Sequence, residues 1–138
     1  MISKKNNPRI LITSGEPAGI GPDLVIKLSQ INHQYDLTVV GDPDLLKERA
    51  KLLSIPLKII TVSEGDIPET VSNKNYLKIL PVKLKAKCMP GCLDAKNASY
   101  VIDSLSIATE ACLKKKFNAL VTTPIQKSII NDAGIKFS

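Results

Sequence analysis

The stretch Gly15-Glu16-Pro17-Ala18-Gly19-Ile20-Gly21-Pro22 constrains this chain more than any other. Ahead of it runs Ile10-Leu11-Ile12-Thr13, an apolar segment of the length of a buried strand. Behind it, Asp23-Leu24-Val25-Ile26-Lys27-Leu28 reads as a helix. Three glycines between a strand and a helix permit left-handed backbone and close approach of another group. Pro22 suits the first helical turn, and Asp23 places a carboxylate where the helix dipole favours it. Amides at such a helix start bind anions. The spacing Gly-x3-Gly-x-Gly fits neither the dinucleotide fingerprint nor the phosphate loop, which needs a lysine after its last glycine. On spacing alone, a tight turn that packs helix against strand explains the glycines equally well.

The same grammar continues along the chain. After a helix running from Asp23 to about Gln30, with Leu24, Val25, Leu28 and Ile31 at core spacing, comes a polar turn at Asn32-His33-Gln34. Leu37–Val40 is a second strand. Asp42 is a cap and Pro43 a first-turn residue for a helix reaching about Leu53. Leu57–Val62 and Tyr76–Leu80 are further strands, and Lys83–Asp94 is a long loop carrying Pro90 and Gly91, of the kind that forms a flap or an arm. The longest helix is expected over Asn97–Lys116, with a stripe at Val101, Leu105, Ala108 and Cys112 and with Lys114-Lys115-Lys116 in its last turn. Ala119–Thr122 is the next strand, Pro124 opens a short helix, and Gly134 ends it.

Strands alternating with helices predict an α/β fold, a mostly parallel sheet with helices on both faces. Ligands of such sheets sit beyond the carboxyl ends of the strands. Gly15–Pro22 and Thr122–Lys127 each follow a strand directly, so they are expected at one edge and paired as one site. There Glu16 would accept hydrogen bonds from hydroxyls, the amides of Gly19, Ile20 and Gly21 would hold an anion, and Thr122, Thr123 and Lys127 would add hydroxyls and a point charge suited to phosphate. The plain alternatives are a solvated turn carboxylate for Glu16 and an ordinary surface lysine for Lys127. Asn131 and Asp132 either orient Lys127 or end the helix.

Charge excludes less than its size suggests. The chain of 138 residues carries a formal net charge of +6. All but two of its 19 basic residues are lysine, the exceptions being Arg9 and Arg49. The lysines are scattered, and aromatics make up only 4% of residues. Nucleic-acid readers rely on arginine and interleaved aromatics, so no nucleic-acid partner is expected. No apolar run is long enough to span a bilayer or to serve as a secretory leader, so no membrane partner and a cytoplasmic location are expected. Cys88, Cys92 and Cys112 are read as free thiols, because an odd, sparse count fits a reducing compartment. Cys88 and Cys92 fall within loose zinc spacing, but no second cysteine pair accompanies them and the one histidine, His33, belongs to a turn.

As literally written, Gly15–Pro22 resembles the N-terminal signature of the 4-hydroxythreonine-4-phosphate dehydrogenases of vitamin B6 synthesis. Val39–Leu46, Leu80-Pro81-Val82, Gly91 and Asn97 fall where that family has similar residues. Val121–Gly134 resembles a second signature. The resemblance implies part of the isocitrate/isopropylmalate dehydrogenase-like fold. It also implies NAD- or NADP-dependent oxidation of 4-(phosphooxy)-L-threonine, giving 3-amino-2-oxopropyl phosphate after decarboxylation. A divalent metal (Zn, Mg or Co) held by histidines, a small phosphorylated amino-acid substrate and a two-lobed homodimer belong to the same picture. Family metal histidines, most cofactor contacts and a His-Thr substrate pair come after the second signature. Residues 1–138 therefore read as a single α/β N-terminal portion of a larger two-lobed enzyme, with 1–8 a loose tail, and are expected to be catalytically incomplete by themselves. Thr123 stands where the family has glycine, Gln126 where Asn or His is usual, and Ser128 where a small residue is common. The rival readings are a non-catalytic anion- or nucleotide-binding module and a non-functional truncated gene product.

Overall fold

The computed structural model describes residues 8–31, 33–68, 74–125 and 131–134. Five strands, β1 (Arg9–Thr13), β2 (Asp36–Gly41), β3 (Lys58–Thr61), β4 (Tyr76–Pro81) and β5 (Ala119–Thr122), form one sheet in the order β3-β4-β2-β1-β5. Every pairing is parallel. Three helices, α1 (Gly21–Leu28), α2 (Pro43–Leu52) and α3 (Ala98–Leu113), cover it.

Pleat alternation sends neighbouring residues to opposite faces, and the two cores follow it. Ile12, Val39 and Ile79 pack with Val25 and Ile26 of α1 and Leu46 and Ala50 of α2. Leu11, Val40 and Leu80, each one residue away, pack with Tyr100, Val101 and Ala108 of α3. The sheet is thus buried on both faces, which accounts for strands that read as continuous apolar runs. The chain leaves β1 and β2 through α1 and α2 on one face. It then returns from β4 across the other face, through α3, to β5 on the far side of β1. That reversal puts a topological switch point at β1 and β5, where ligands of open α/β sheets bind.

Local chemistry sets the helix boundaries. Asp42 caps α2, its Oδ1 accepting from the Asp44 and Leu45 amides. Both α2 and α3 stop in Schellman motifs. Ile55 N–H reaches Ala50 O and Ser54 N–H reaches Lys51 O at the end of α2; Lys116 N–H reaches Ala111 O and Lys115 N–H reaches Cys112 O at the end of α3. The left-handed residues are Ser54 (φ 57°) and Lys115 (φ 60°), which is why no glycine announced either stop. The lysine run consequently lies past α3 rather than in its last turn. Lys114 pairs with Glu64 and Glu110, and Lys116 donates to the Glu64 carbonyl. The start of this helix is also shifted: Ala95–Asn97 is a 3-10 turn and α3 proper begins at Ala98.

The stripe expected on α1 is corrected as well. Val25 and Ile26 are buried, whereas Leu24 and Ile31 are 46% and 56% exposed. An almost wholly apolar run offers two adjacent stripes, and only the sheet it docks on selects one. At the amino edge of the sheet Asp36 takes ion pairs from Arg9 (3.2 Å) and Lys78, and these two cations also donate to the Ile67 and Pro68 carbonyls respectively. Among the described residues no helix is long and apolar enough to cross a membrane. The three cysteines are free thiols. The expected tail at 1–8 falls, except for Pro8, outside the described residues, as does Asn32 of the polar turn.

Candidate functional site

The two segments singled out in the sequence meet at the carboxyl edge of β1 and β5. Thr13 and Thr122 are register partners at the ends of these strands. Beyond them, Glu16 N–H donates to Pro124 O at 3.0 Å, and Thr123 Oγ1 donates to Thr13 O at 2.8 Å. Gly15, Glu16, Gly19, Gly21, Thr122 and Thr123 therefore share one locality. Lys127 and Gln126 lie outside the described residues.

The glycines serve this closure. Gly15 adopts φ +71°, and a Cβ on it would stand 2.4 Å from Thr123 Oγ1 and 2.6 Å from Pro124 O. A Cβ on Gly21 would stand 2.0 Å from Ser14 O and 2.5 Å from Thr123 Oγ1. The space that glycine leaves is thus filled by the protein's own backbone and by the Thr123 hydroxyl. Gly19 differs: a Cβ there would touch Glu16, its carbonyl oxygen and its side chain, at ordinary distances of 3.4 Å and more. Its N–H is already given to Glu16 O at 3.0 Å, so the expected trio of anion-holding amides loses this member. Ile20, 58% exposed, occupies the N-cap of α1 and provides no side-chain cap.

Glu16 is not a solvated turn carboxylate. It is 4% exposed, and its Oε1 accepts the Ala18 N–H at 3.2 Å. Burial pushes its carboxyl above the usual range, with the Ala18 amide pulling the other way. The turn is held from behind by Arg49 of α2. The guanidinium donates to Pro17 O at 2.7 Å, to Gly19 O at 3.0 Å and to Asp23 Oδ1 at 2.8 Å. Sequence reading did not assign Arg49 a place here; its scarcity among so many lysines was the available signal.

A second buried polar group steadies the same edge. Tyr100 Oη accepts the Asp42 N–H at 3.0 Å and shares a 3.0 Å hydrogen bond with Ser14 Oγ. Gly41 lies against both hydroxyls, at 2.8 Å and 3.2 Å from the position of its missing Cβ. Burial raises the Tyr100 hydroxyl pKa, so it stays a neutral donor and acceptor. Nothing in the sequence pattern could have identified Tyr100, which occupies an ordinary core position.

The long loop at 83–94 is strapped down along its length. Asp42 Oδ2 accepts Leu84 N–H, and the buried Asn97 Oδ1 accepts the Lys85 and Ala86 amides. Its tip, Met89-Pro90-Gly91-Cys92, is a tight turn with Gly91 at φ +80°. Gly91 N–H then donates to Ala18 O at 2.9 Å, bringing the tip onto the glycine turn. Cys88 lies near Arg49, Glu16 and Asp94, and burial raises its thiol pKa. A cleft of about 240 Å³ between the start of α2 and this loop carries Asp44 and Glu48 against Lys83, Lys85 and Lys87. It is smaller than the usual ligand pocket.

The described residues do not form a metal site. Among them no group of three or more His, Cys, Asp or Glu side chains is placed to hold an ion. His33 Nδ1 accepts the Tyr35 N–H in its own turn. The space left by the missing Cβ atoms of Gly15 and Gly21 is taken by Thr123 Oγ1 and by the Pro124 and Ser14 carbonyls. What the edge can do is orient a buried carboxylate and offer the exposed Thr122 and the uncapped start of α1 to a small polar ligand.

A family model described as pyridoxal phosphate biosynthetic protein PdxA matches residues 33–138. A 4-hydroxythreonine-4-phosphate dehydrogenase of Saccharophagus degradans is 49% identical over 129 residues, covering 94% of this chain and 38% of that protein. The enzyme of the same name from Methylococcus capsulatus is 47% identical over 131 residues, covering 95% and 39%. The crystal structure of a 4-hydroxythreonine-4-phosphate dehydrogenase from Burkholderia phymatum superposes with a TM-score of 0.83 at 23% identity, over 95% of this chain and 40% of that one. That likeness establishes that the chain forms part of the isocitrate dehydrogenase-like fold. The chain spans about two fifths of the length of the curated relatives it matches.

Proposed function

The chain belongs to the family of pyridoxal phosphate biosynthetic proteins called PdxA, and from that premise we propose that it forms the first part of a 4-hydroxythreonine-4-phosphate dehydrogenase. In this reading its carboxyl edge is one wall of the substrate site. The observation that carries it is the junction of the two signature segments through Glu16 N–H to Pro124 O and Thr123 Oγ1 to Thr13 O. That junction sits at the switch point of the sheet, where the fold class places its ligands.

Within the wall, Glu16 is the group suited to orient a substrate hydroxyl or ammonium, and Thr122 with the Ile20 and Gly21 amides is suited to a phosphate. Lys127 would add its charge to the same phosphate. The nicotinamide cofactor, NAD or NADP, and the divalent metal would both take their contacts from outside these residues. The substrate is the phosphorylated hydroxy-amino acid named by the relatives, and the working assembly is a cytoplasmic homodimer.

A chimera tests this. Residues 9–134 replace the matching segment of the Saccharophagus degradans enzyme, and metal-dependent NAD reduction with 4-hydroxythreonine 4-phosphate is measured. Turnover within about tenfold of the parent is expected, corresponding to about 1.4 kcal/mol of transition-state stabilisation. A folded chimera with no turnover overturns the reading.

The uncapped start of α1 favours a second reading, a phosphate-holding module without turnover. Tight phosphate binding by the 138-residue polypeptide, together with an inactive chimera, would establish it in place of the first.

A further inference from the structure

Arginine is rare in this chain, and both examples sit where one side chain serves several acceptors. Arg9 reaches Asp36 and Ile67 O and lies over the Phe117 ring. Arg49 reaches Pro17 O, Gly19 O and Asp23. Elsewhere the chain uses lysine, whose single ammonium cannot span acceptors fixed in a planar fork.

The Arg49 contacts have a direct geometric consequence. Pro17 C=O and Ala18 N–H are the two ends of one rigid peptide unit. Arg49 Nη2 holds the carbonyl end at 2.7 Å, and the amide end donates to Glu16 Oε1 at 3.2 Å. Arg49 Nη1 holds the next carbonyl but one, Gly19 O, at 3.0 Å, and the Gly19 amide returns to Glu16 O. The peptide unit whose amide fixes the Glu16 carboxylate is therefore gripped at its carbonyl end by the guanidinium, which also holds the following Gly19 carbonyl; the carbonyl end of the Gly19 amide's own unit, Ala18 O, accepts Gly91 N–H at 2.9 Å. Arg49 is 4% exposed, so these bonds act with little competition from water.

We propose that Arg49 is the positioning residue of the glycine turn: by gripping the Pro17 and Gly19 carbonyls it sets the Pro17–Ala18 peptide and, through it, the orientation of the Glu16 carboxylate. Asp23 has a separate duty. It neutralises the guanidinium and ties α1 to α2, without touching the turn's peptide units. The link from Glu16 to a ligand rests on the reading of the turn as a wall of the substrate site. The link from Arg49 to Glu16 does not.

The test uses nuclear magnetic resonance on the 138-residue polypeptide. In Arg49→Lys, Ala18 amide exchange accelerates about tenfold or more and the Glu16 carboxyl carbon resonance shifts, because one ammonium cannot replace both carbonyl bonds. In Asp23→Asn, both signals stay as in the unmodified chain although stability falls. Equal behaviour of the two variants overturns the proposal, since a purely structural arginine would give it. If Arg49→Lys does not fold, the unmodified chain decides: slowly exchanging Arg49 Nη protons, with couplings across the hydrogen bonds to the Pro17 and Gly19 carbonyl carbons, support the grip. Freely exchanging Nη protons refute it. Titration of 4-hydroxythreonine 4-phosphate, followed at the Ile20 and Gly21 amides, separates the two claims. Absence of any shift in the unmodified chain counts against the substrate wall and leaves the Arg49 result standing. Shifts in the unmodified chain that Arg49→Lys abolishes join the two, and shifts of the same size in that variant break the link.

Discussion

Thr123 and Gly15 occupy complementary space: the Thr123 hydroxyl, bonded to Thr13 O, stands 2.4 Å from where a Gly15 Cβ would be. The junction of the two signatures is therefore a packed contact, and its glycines are required by crowding as much as by any ligand. Of the alternatives left open by the spacing Gly-x3-Gly-x-Gly, this supports a packing role for two of the three glycines. Gly15 and Gly21 are crowded by the protein's own atoms, whereas a Cβ on Gly19 would meet Glu16 O at 3.4 Å and the Glu16 side chain at 3.5 Å and more.

Gly21→Ala is expected to destabilise the chain by about 2–3 kcal/mol, the usual cost of overpacking against atoms that cannot retreat. Its Cβ would meet the Ser14 carbonyl at 2.0 Å, and that carbonyl is backbone. Gly19→Ala, with only ordinary contacts, costs about 1 kcal/mol or less. Urea unfolding of the two variants measures the difference, and equal midpoints would refute the packing account.

Tyr100→Phe removes one oxygen and leaves the buried Asp42 N–H and Ser14 hydroxyl without it. An orphaned buried group costs about 1–3 kcal/mol. The ring fills the same core position, so the loss should appear in the unfolding midpoint with little change in the slope. An unchanged midpoint would mean that water replaces the hydroxyl.

The buried carboxyl of Glu16 makes stability depend on pH. Its folded pKa lies above the ordinary glutamate value of 4.5, raised by burial. The folded state therefore binds the proton more tightly than the unfolded state. Stability from this group is fully present below about pH 4.5 and is lost as pH rises through the folded pKa. Glu16→Gln should flatten that descent. Thermal unfolding at a series of pH values, compared between the two proteins, checks the sign; a slope left intact in the variant assigns it to another group.

Asn97 holds the long loop by a single oxygen. Its Oδ1 accepts Lys85 N–H at 3.1 Å and Ala86 N–H at 2.9 Å from a site 2% exposed. Asn97→Ala should speed amide exchange over residues 84–92 while leaving β1 and β2 protected, at a global cost of about 1–3 kcal/mol. Uniform acceleration across the sheet would show that Asn97 supports the core instead of the loop.

Much of this molecule was legible in its residues because the signals are local. Apolar runs bounded by glycine, proline and caps predicted every strand and helix of the described sheet to within a few residues, and Asp42 was identified as a cap from its place before Pro43. The placement of two turns after two strands predicted their shared edge. Where reading failed, the deciding contacts were distant. The burial of Glu16 and the grip of Arg49 depend on α2 lying behind the glycine turn. The lysine run fell outside α3 because Lys115 itself takes the left-handed position and Glu64, far away in sequence, receives its neighbours.

The sequence by itself determined the α/β alternation, the parallel sheet and the family, since periodicity, turn chemistry and signature order are written in adjacent residues. Tertiary structure alone decided which polar groups meet. Ser14 and Tyr100 are 86 residues apart, and Tyr100 and Asp42 are 58 apart. They come together because strand register and the return of α3 across the second face bring them there. No local pattern records a contact that exists only after the sheet has closed over it.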